Sequence, residues 1–176
     1  MTTQEGRLAR WLWGTYSALA LRIAAVVFVL DQASKAWVLL VHELQDKGRV
    51  KVLPFLDLVF VKNTGISYSL LDGDTRSWQT VLATFAVLAS IGLWLWLARA
   101  GTGRAMAWAL GLIIGGALGN AVDRVLIGGV ADFFSLHAFG YYWYVFNIAD
   151  VAIVAGVAVL LYDSFVGSRN DAANRM

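Results

Sequence analysis

The chain has no cysteine, one proline and two histidines among its 176 residues, and only 15% of it is charged. The missing thiols exclude disulfides, thiolate catalysis and cysteine-ligated metal, while leaving the redox compartment open. His42-Glu43 opens a zinc-protease pattern, but Leu44-Gln45-Asp46 follows without a second histidine, and His137 stands alone. Neither a metal nor a cofactor is expected. No Gly-x-Ser-x-Gly elbow accompanies Ser135 and His137, and Ser34 and Lys35 are helix neighbours pointing to different faces, so serine-based hydrolysis has no constellation. The formal net charge of +2 comes from scattered Lys and Arg rather than a basic stripe, which removes nucleic acid from the expected partners.

Apolar residues are what the chain has in excess. They make up 59% of it, with a mean hydropathy of +0.65, so a bilayer is its natural solvent. A spanning helix needs roughly 20 apolar residues, and stretches at about 18–41, 78–98, 105–122 and 148–166 meet that need. The first follows a basic segment with Arg7 and Arg10 and resembles a signal peptide, but its length, its internal Asp31 and Lys35 and the lack of a small-residue cleavage site predict an uncleaved span. Between the first two spans, residues 42–77 form a polar loop in which 50–61 reads as short β-type runs broken by Pro54 and closed by Asn63-Thr64-Gly65. The connection at about 127–146 has no Lys or Arg and many aromatic rings, which suit an interfacial position. The expected fold is a single all-α membrane domain: a four-transmembrane-helix bundle with a small extracytoplasmic β-sheet in the loop between helices 1 and 2.

Lys and Arg on the two sides nearly tie in number. Arg99 and Arg104 lie on a short loop, and Arg7, Arg10, Arg169 and Arg175 on the termini. Lys47, Arg49, Lys51, Lys62 and Arg76 are instead spread along a loop balanced by Glu43, Asp46, Asp57, Asp72 and Asp74. Density near span ends places both termini in the cytoplasm.

Ionisable groups at membrane depth cost several kcal/mol unless they pair or face a polar cavity. Asp163 sits near a span end, where it can snorkel to water. Asp31 and Lys35 are four apart on one helix face, suited either to a structural ion pair or to a site. Gly111, Gly115 and Gly119 form a small-residue stripe whose next position is Asp123, so that charge faces protein; with Asn120 and Arg124 it forms a polar cluster that holds neighbouring elements in register. Asp132 and Asp150 follow on the same membrane face, in Val130-Ala131-Asp132-Phe133 and Phe146-Asn147-Ile148-Ala149-Asp150. Their apolar neighbours and mutual repulsion favour one shared proton near neutral pH, the state in which one carboxylate activates water and the other polarises a carbonyl. Asn147, three residues before Asp150, is placed to hydrogen-bond the pair. Paired acids also carry protons or cations, so the residues alone leave a catalytic dyad, a proton- or cation-coupled carrier and an assembly scaffold open.

Several separated motifs resemble the bacterial lipoprotein signal peptidases, the type II signal peptidases, over nearly the whole chain. They are Asp31-Gln32-Ala33-Ser34-Lys35; Asn63-Thr64-Gly65 with Ser67 and Ser69; Gly115-Gly116-Ala117-Leu118-Gly119-Asn120 running into Asp123-Arg124; and the two segments around Asp132 and Asp150. Ile66 stands where the family usually has a small residue, and Ala131 where a second valine is common. The resemblance implies an aspartyl endopeptidase of the bacterial inner membrane. Its substrate would be a diacylglyceryl-modified prolipoprotein, cut immediately before the lipidated cysteine. The dyad carries over onto Asp132 and Asp150, and the supporting residues onto Asp31, Asn63, Gly65, Asn120, Arg124 and Asn147. The expected partners are substrate and membrane lipids, the expected state is a monomer, and the outer loop from 50 to 71 is expected to close over an extracytoplasmic active site.

Overall fold

The computed structural model describes residues 11–65, 73, 75–100 and 103–173. Arg7, Arg10, Ile66, Ser67, Ser69, Asp72, Asp74, Arg175 and the 66–71 end of the expected lid lie outside them. Helix α1 (Ser17–Ala36) continues into a π-helical turn (Trp37–Val41), a short helix α2 (Leu44–Lys47) follows, and strands β1 (Val50–Leu53) and β2 (Leu56–Asn63) complete the first half. Then come α3 (Arg76–Ala100), α4 (Arg104–Ile127), strands β3 (Val130–Ala138) and β4 (Tyr141–Phe146), and α5 (Ile148–Ala173). Among the described residues four segments are long and apolar enough to cross a membrane: α1 with its π-helical turn, α3, α4 and α5.

Helix α4 is the centre of the bundle. Of its apolar window 56% is buried, against 28%, 28% and 17% for the other three, and it packs on α1, α3 and α5. Without a hydrophobic drive between helices in lipid, close backbone approach is what holds such a bundle together. The glycine stripe permits it: a Cβ at Gly115 would lie 2.6 Å from the Ala24 carbonyl oxygen of α1. Gly115→Leu should separate α1 from α4 and lower the midpoint of thermal unfolding in detergent by several degrees, a shift a melting curve would read directly. Helix α4 also continues past the expected end at about 122, so Asn120, Asp123 and Arg124 lie within its last turns and are buried.

The sheet differs from the expectation. It has four antiparallel strands in the order β1-β2-β3-β4, and only two of them come from the loop between the first two spans. Strands β3 and β4 come from the aromatic connection before the last span, expected to be an interfacial loop. The reason is that β3 is covered on both sides, with Val130, Ala131, Asp132 and Phe133 all buried. A strand buried on both faces shows no alternation, so its period is invisible in sequence. The fold is therefore a helical bundle with a substantial sheet at one end. Phe133, Val38, Leu44 and Leu58 form a small core that ties sheet, π turn and α2 together.

Candidate active site

The β2–β3 pairing sets Asn63 opposite Val130 and Val61 opposite Asp132, and thereby brings the end of β2 to the start of β3. Asn63 Nδ2 donates to Asp132 Oδ2 at 3.0 Å and to the Tyr144 hydroxyl at 2.5 Å. Asn63 Oδ1 in turn accepts the Gly65 N–H at 3.0 Å, a turn that fixes the amide's orientation.

Asn147 caps α5. Its Oδ1 accepts the Asp150 N–H at 3.0 Å, while its own N–H donates to Asp150 Oδ2 at 3.2 Å. This reciprocal pattern is a capping box, and it holds Asp150 in the first helical turn. Through Nδ2 the same Asn147 donates to Asp132 Oδ1 at 2.7 Å. One residue thus grips both carboxylates, one by its backbone and the other by its side chain. Asp150 Oδ1 takes a further hydrogen bond from Asn120 Nδ2 at 2.9 Å.

Behind the pair lies a buried charge cluster. Lys35 Nζ is 2.8 Å from Asp31 Oδ2, 2.8 Å from Asp123 Oδ2 and 2.9 Å from Asn120 Oδ1. The two carboxylates also tie backbones together: Asp31 Oδ1 accepts the Ala149 N–H, and Asp123 Oδ2, beside its contact with Lys35, accepts the Ala131 N–H, each at 3.0 Å. The cluster therefore sets the residues immediately before Asp150 and Asp132. Gly119 leaves room for it, since a Cβ there would collide with Asp31 Oδ2. Arg124 Nη2 donates to the Gly65 carbonyl at 3.0 Å, tying α4 to the end of the β2 loop.

Every site residue expected from sequence thus converges here. Three more belong with them. Gln32 Nε2 bridges Asp31, the Gly119 carbonyl and Asp123 at 3.1 to 3.2 Å. Tyr144 meets Asn63, and Gln79 binds the loop after Asn63, as described below. Gln32 lay inside the Asp31–Lys35 motif and its polarity within a span was the available signal; Tyr144 and Gln79 had none. Ser135 and His137 belong to a separate cluster on the sheet, where Arg49 contacts Asp57 and Ser135 at 3.1 Å and His137 lies 3.3 Å from Asp57. Among the described residues, no group of three or more His, Asp or Glu side chains is arranged to hold a metal.

Asp132 is 1% exposed. Its burial, and next the charge of Asp150, push its carboxyl up to about 7, against the Asn63 and Asn147 hydrogen bonds and the charge of Lys35, which favour ionisation. Asp150 opens onto a mostly apolar groove of about 1000 Å³ between α3, α4 and α5, walled by residues such as Leu82, Phe85 and Val154. The arrangement offers two carboxyl groups bridged by Asn147, one of them beside a groove suited to an apolar chain.

Residues 23–166 match the signal peptidase (SPase) II family. The chain belongs to that family. Among its signal peptidase II relatives, the lipoprotein signal peptidase of Rhodopseudomonas palustris is 54% identical over 146 residues, covering 81% of this chain and 88% of the relative. That of Methylocella silvestris is 50% identical over 147 residues, covering 84% and 85%. A bacterial membrane enzyme solved by the in meso method at 2.3 Å resolution has the same fold, with a TM-score of 0.73 and 28% identity over 87% of this chain and 91% of that one. A second, solved at 1.9 Å, gives a TM-score of 0.70 and 30% identity over 83% and 92%. This signal peptidase II is therefore a multi-pass membrane protease of a bacterial family.

Proposed function

We propose that this signal peptidase II is an aspartic endopeptidase in which Asp132 and Asp150 cleave the signal peptide from a diacylglyceryl-modified prolipoprotein, immediately before the lipidated cysteine. The observation that carries the reading is the grip of Asn147 on both carboxylates, which makes them one unit. Asp132, raised to about 7, holds the shared proton and polarises the scissile carbonyl. The ionised partner takes a proton from water as the water oxygen attacks the carbonyl carbon. Collapse of the tetrahedral intermediate breaks the C–N bond, and a proton passes to the leaving nitrogen. The products are a signal peptide with a new carboxylate and a lipoprotein whose lipidated cysteine carries the new amino terminus.

The apolar groove beside Asp150 supports lateral entry of a lipid-anchored substrate. The dense Arg99 and Arg104 on the short α3–α4 loop support cytoplasmic termini and a site on the extracytoplasmic face. Membrane lipids are the expected neighbours of the exposed apolar helix faces. All reacting groups come from a single chain, which favours a functional monomer. The carrier reading has no support, because the relatives from Methylocella silvestris and Rhodopseudomonas palustris are named lipoprotein signal peptidases.

The test is turnover of a purified prolipoprotein in detergent, followed by electrophoretic mobility, with and without the diacylglyceryl group. Only the lipidated form should be cut. Activity should fall as pH rises through about 7, because Asp132 then loses the proton it must hold while both carboxylates become charged. Equal cleavage of the unlipidated form would remove the substrate assignment, and a flat profile to pH 9 would remove Asp132 as the proton carrier.

A further inference from the structure

Helix α3 starts at a threonine cap: Thr75 Oγ1 accepts the Trp78 N–H at 3.3 Å, and the Thr75 carbonyl accepts the Gln79 N–H at 3.1 Å. This places Gln79 in the first turn with its side chain turned into the protein, fully buried at 0% exposure. Its amide Nε2 donates to the Thr64 carbonyl at 2.6 Å and to the Gly73 carbonyl at 2.7 Å. Both neighbours are acceptors, so only the NH₂ can face them. Its Oε1 is buried and has no partner among the described residues.

Thr64 stands between two residues already placed at the site. Asn63 donates to Asp132, and Gly65 meets both Asn63 Oδ1 and Arg124. The Gly73 carbonyl lies on the far side of the loop, beside α3. One side chain therefore joins both ends of the chain segment leaving Asn63 and anchors them to a membrane helix.

We propose that Gln79 is a positioning residue: by clamping the Thr64 and Gly73 carbonyls to the first turn of α3, it holds Asn63 and Gly65 in the geometry in which Asn63 hydrogen-bonds Asp132. The proposal rests on the reading of Asp132 and Asp150 as the reacting pair. With the clamp gone the loop ends slacken, Asn63 spends less time on Asp132, and the proton on Asp132 is held more tightly, since the Asn63 hydrogen bond favours the ionised form. A small misplacement of a catalytic group costs rate more than affinity.

The experiment compares wild type with Gln79→Met, which keeps the shape without donors, and Gln79→Glu, which has one donor only when protonated. In Gln79→Met, kcat should fall about tenfold with KM within about twofold, and the alkaline limb of the pH profile should rise by about half a unit. Gln79→Glu should fall between the two at acid pH and below Gln79→Met at alkaline pH, where the buried carboxylate repels both carbonyls. Independently of turnover, selective ¹⁵N-glycine labelling should show the Gly65 amide exchanging with solvent faster in both variants. An unchanged Gly65 amide overturns the clamp, as does a loss of rate that sits wholly in KM with the alkaline limb unmoved. The two readings fail separately. Normal turnover by Asp132→Asn would end the dyad assignment, while faster Gly65 exchange in Gln79→Met would still uphold the clamp.

Discussion

Asp132→Asn and Asp150→Asn should each lower turnover of a diacylglyceryl-prolipoprotein by about 10³-fold or more, the scale of a lost general acid or base. An asparagine has the size of the aspartate but can neither take nor give a proton. In the hydrogen bonds that hold them both carboxyl groups accept: Asp132 from Asn63 and Asn147, Asp150 from Asn120 and the Asn147 N–H. An amide at either position therefore turns an NH₂ toward an existing donor and loses one hydrogen bond, a cost of about 1–3 kcal/mol. Relief of the repulsion between the two acids offsets part of it. Both variants should accordingly fold, with unfolding midpoints close to wild type, and their loss should lie in kcat. Turnover at the wild-type rate in either would end the assignment. A loss of rate with a collapsed midpoint would assign the residue to the frame instead.

Lys35→Met should be the most damaging change to stability. The ammonium sits between Asp31 and Asp123, and both of those carboxylates are buried. Removing one partner from a buried ion pair typically costs about 3–5 kcal/mol, because a charge is left uncompensated. Here two acids lose the same cation. They also hold the Ala149 and Ala131 amides, so the damage should spread to the backbone before Asp150 and Asp132. Lower yield and an earlier unfolding transition in detergent are expected. Adding Asp31→Asn to Lys35→Met should restore part of the loss by removing one of the stranded charges. A Lys35→Met protein with a wild-type midpoint would show that the cluster is not what holds the site.

Much of the candidate site was legible in the sequence. Charges and amides inside apolar spans are costly, so Asp31, Lys35, Asn120, Asp123, Arg124 and Asp150 stood out against their surroundings. The glycine stripe on α4 announced a close helix contact, and α1 is what fills it. Gln79 gave no such signal, since a glutamine at the start of a helix next to a polar loop reads as solvated. Tyr144 lay in a run of aromatic residues whose individual roles no pattern separates. The β3–β4 hairpin was hidden for a related reason, because its first strand is covered on both faces and reads as a plain apolar stretch.

The sequence by itself determined that this chain lives in a bilayer, crosses it with four helices and carries its ionisable groups where only pairing can hold them. Hydropathy and the cost of a buried charge act residue by residue, so they are written in composition and spacing. The tertiary structure alone decided that Lys35 would meet Asp123 of α4 as well as Asp31 of its own helix, that Asn147 would reach Asp132 of β3 as well as Asp150 of its own helix, and that a four-stranded sheet would bring Asn63 to the same point. Those are distances of about 3 Å between residues far apart in the chain, and hydrogen bonds that short depend on packing that no local pattern encodes.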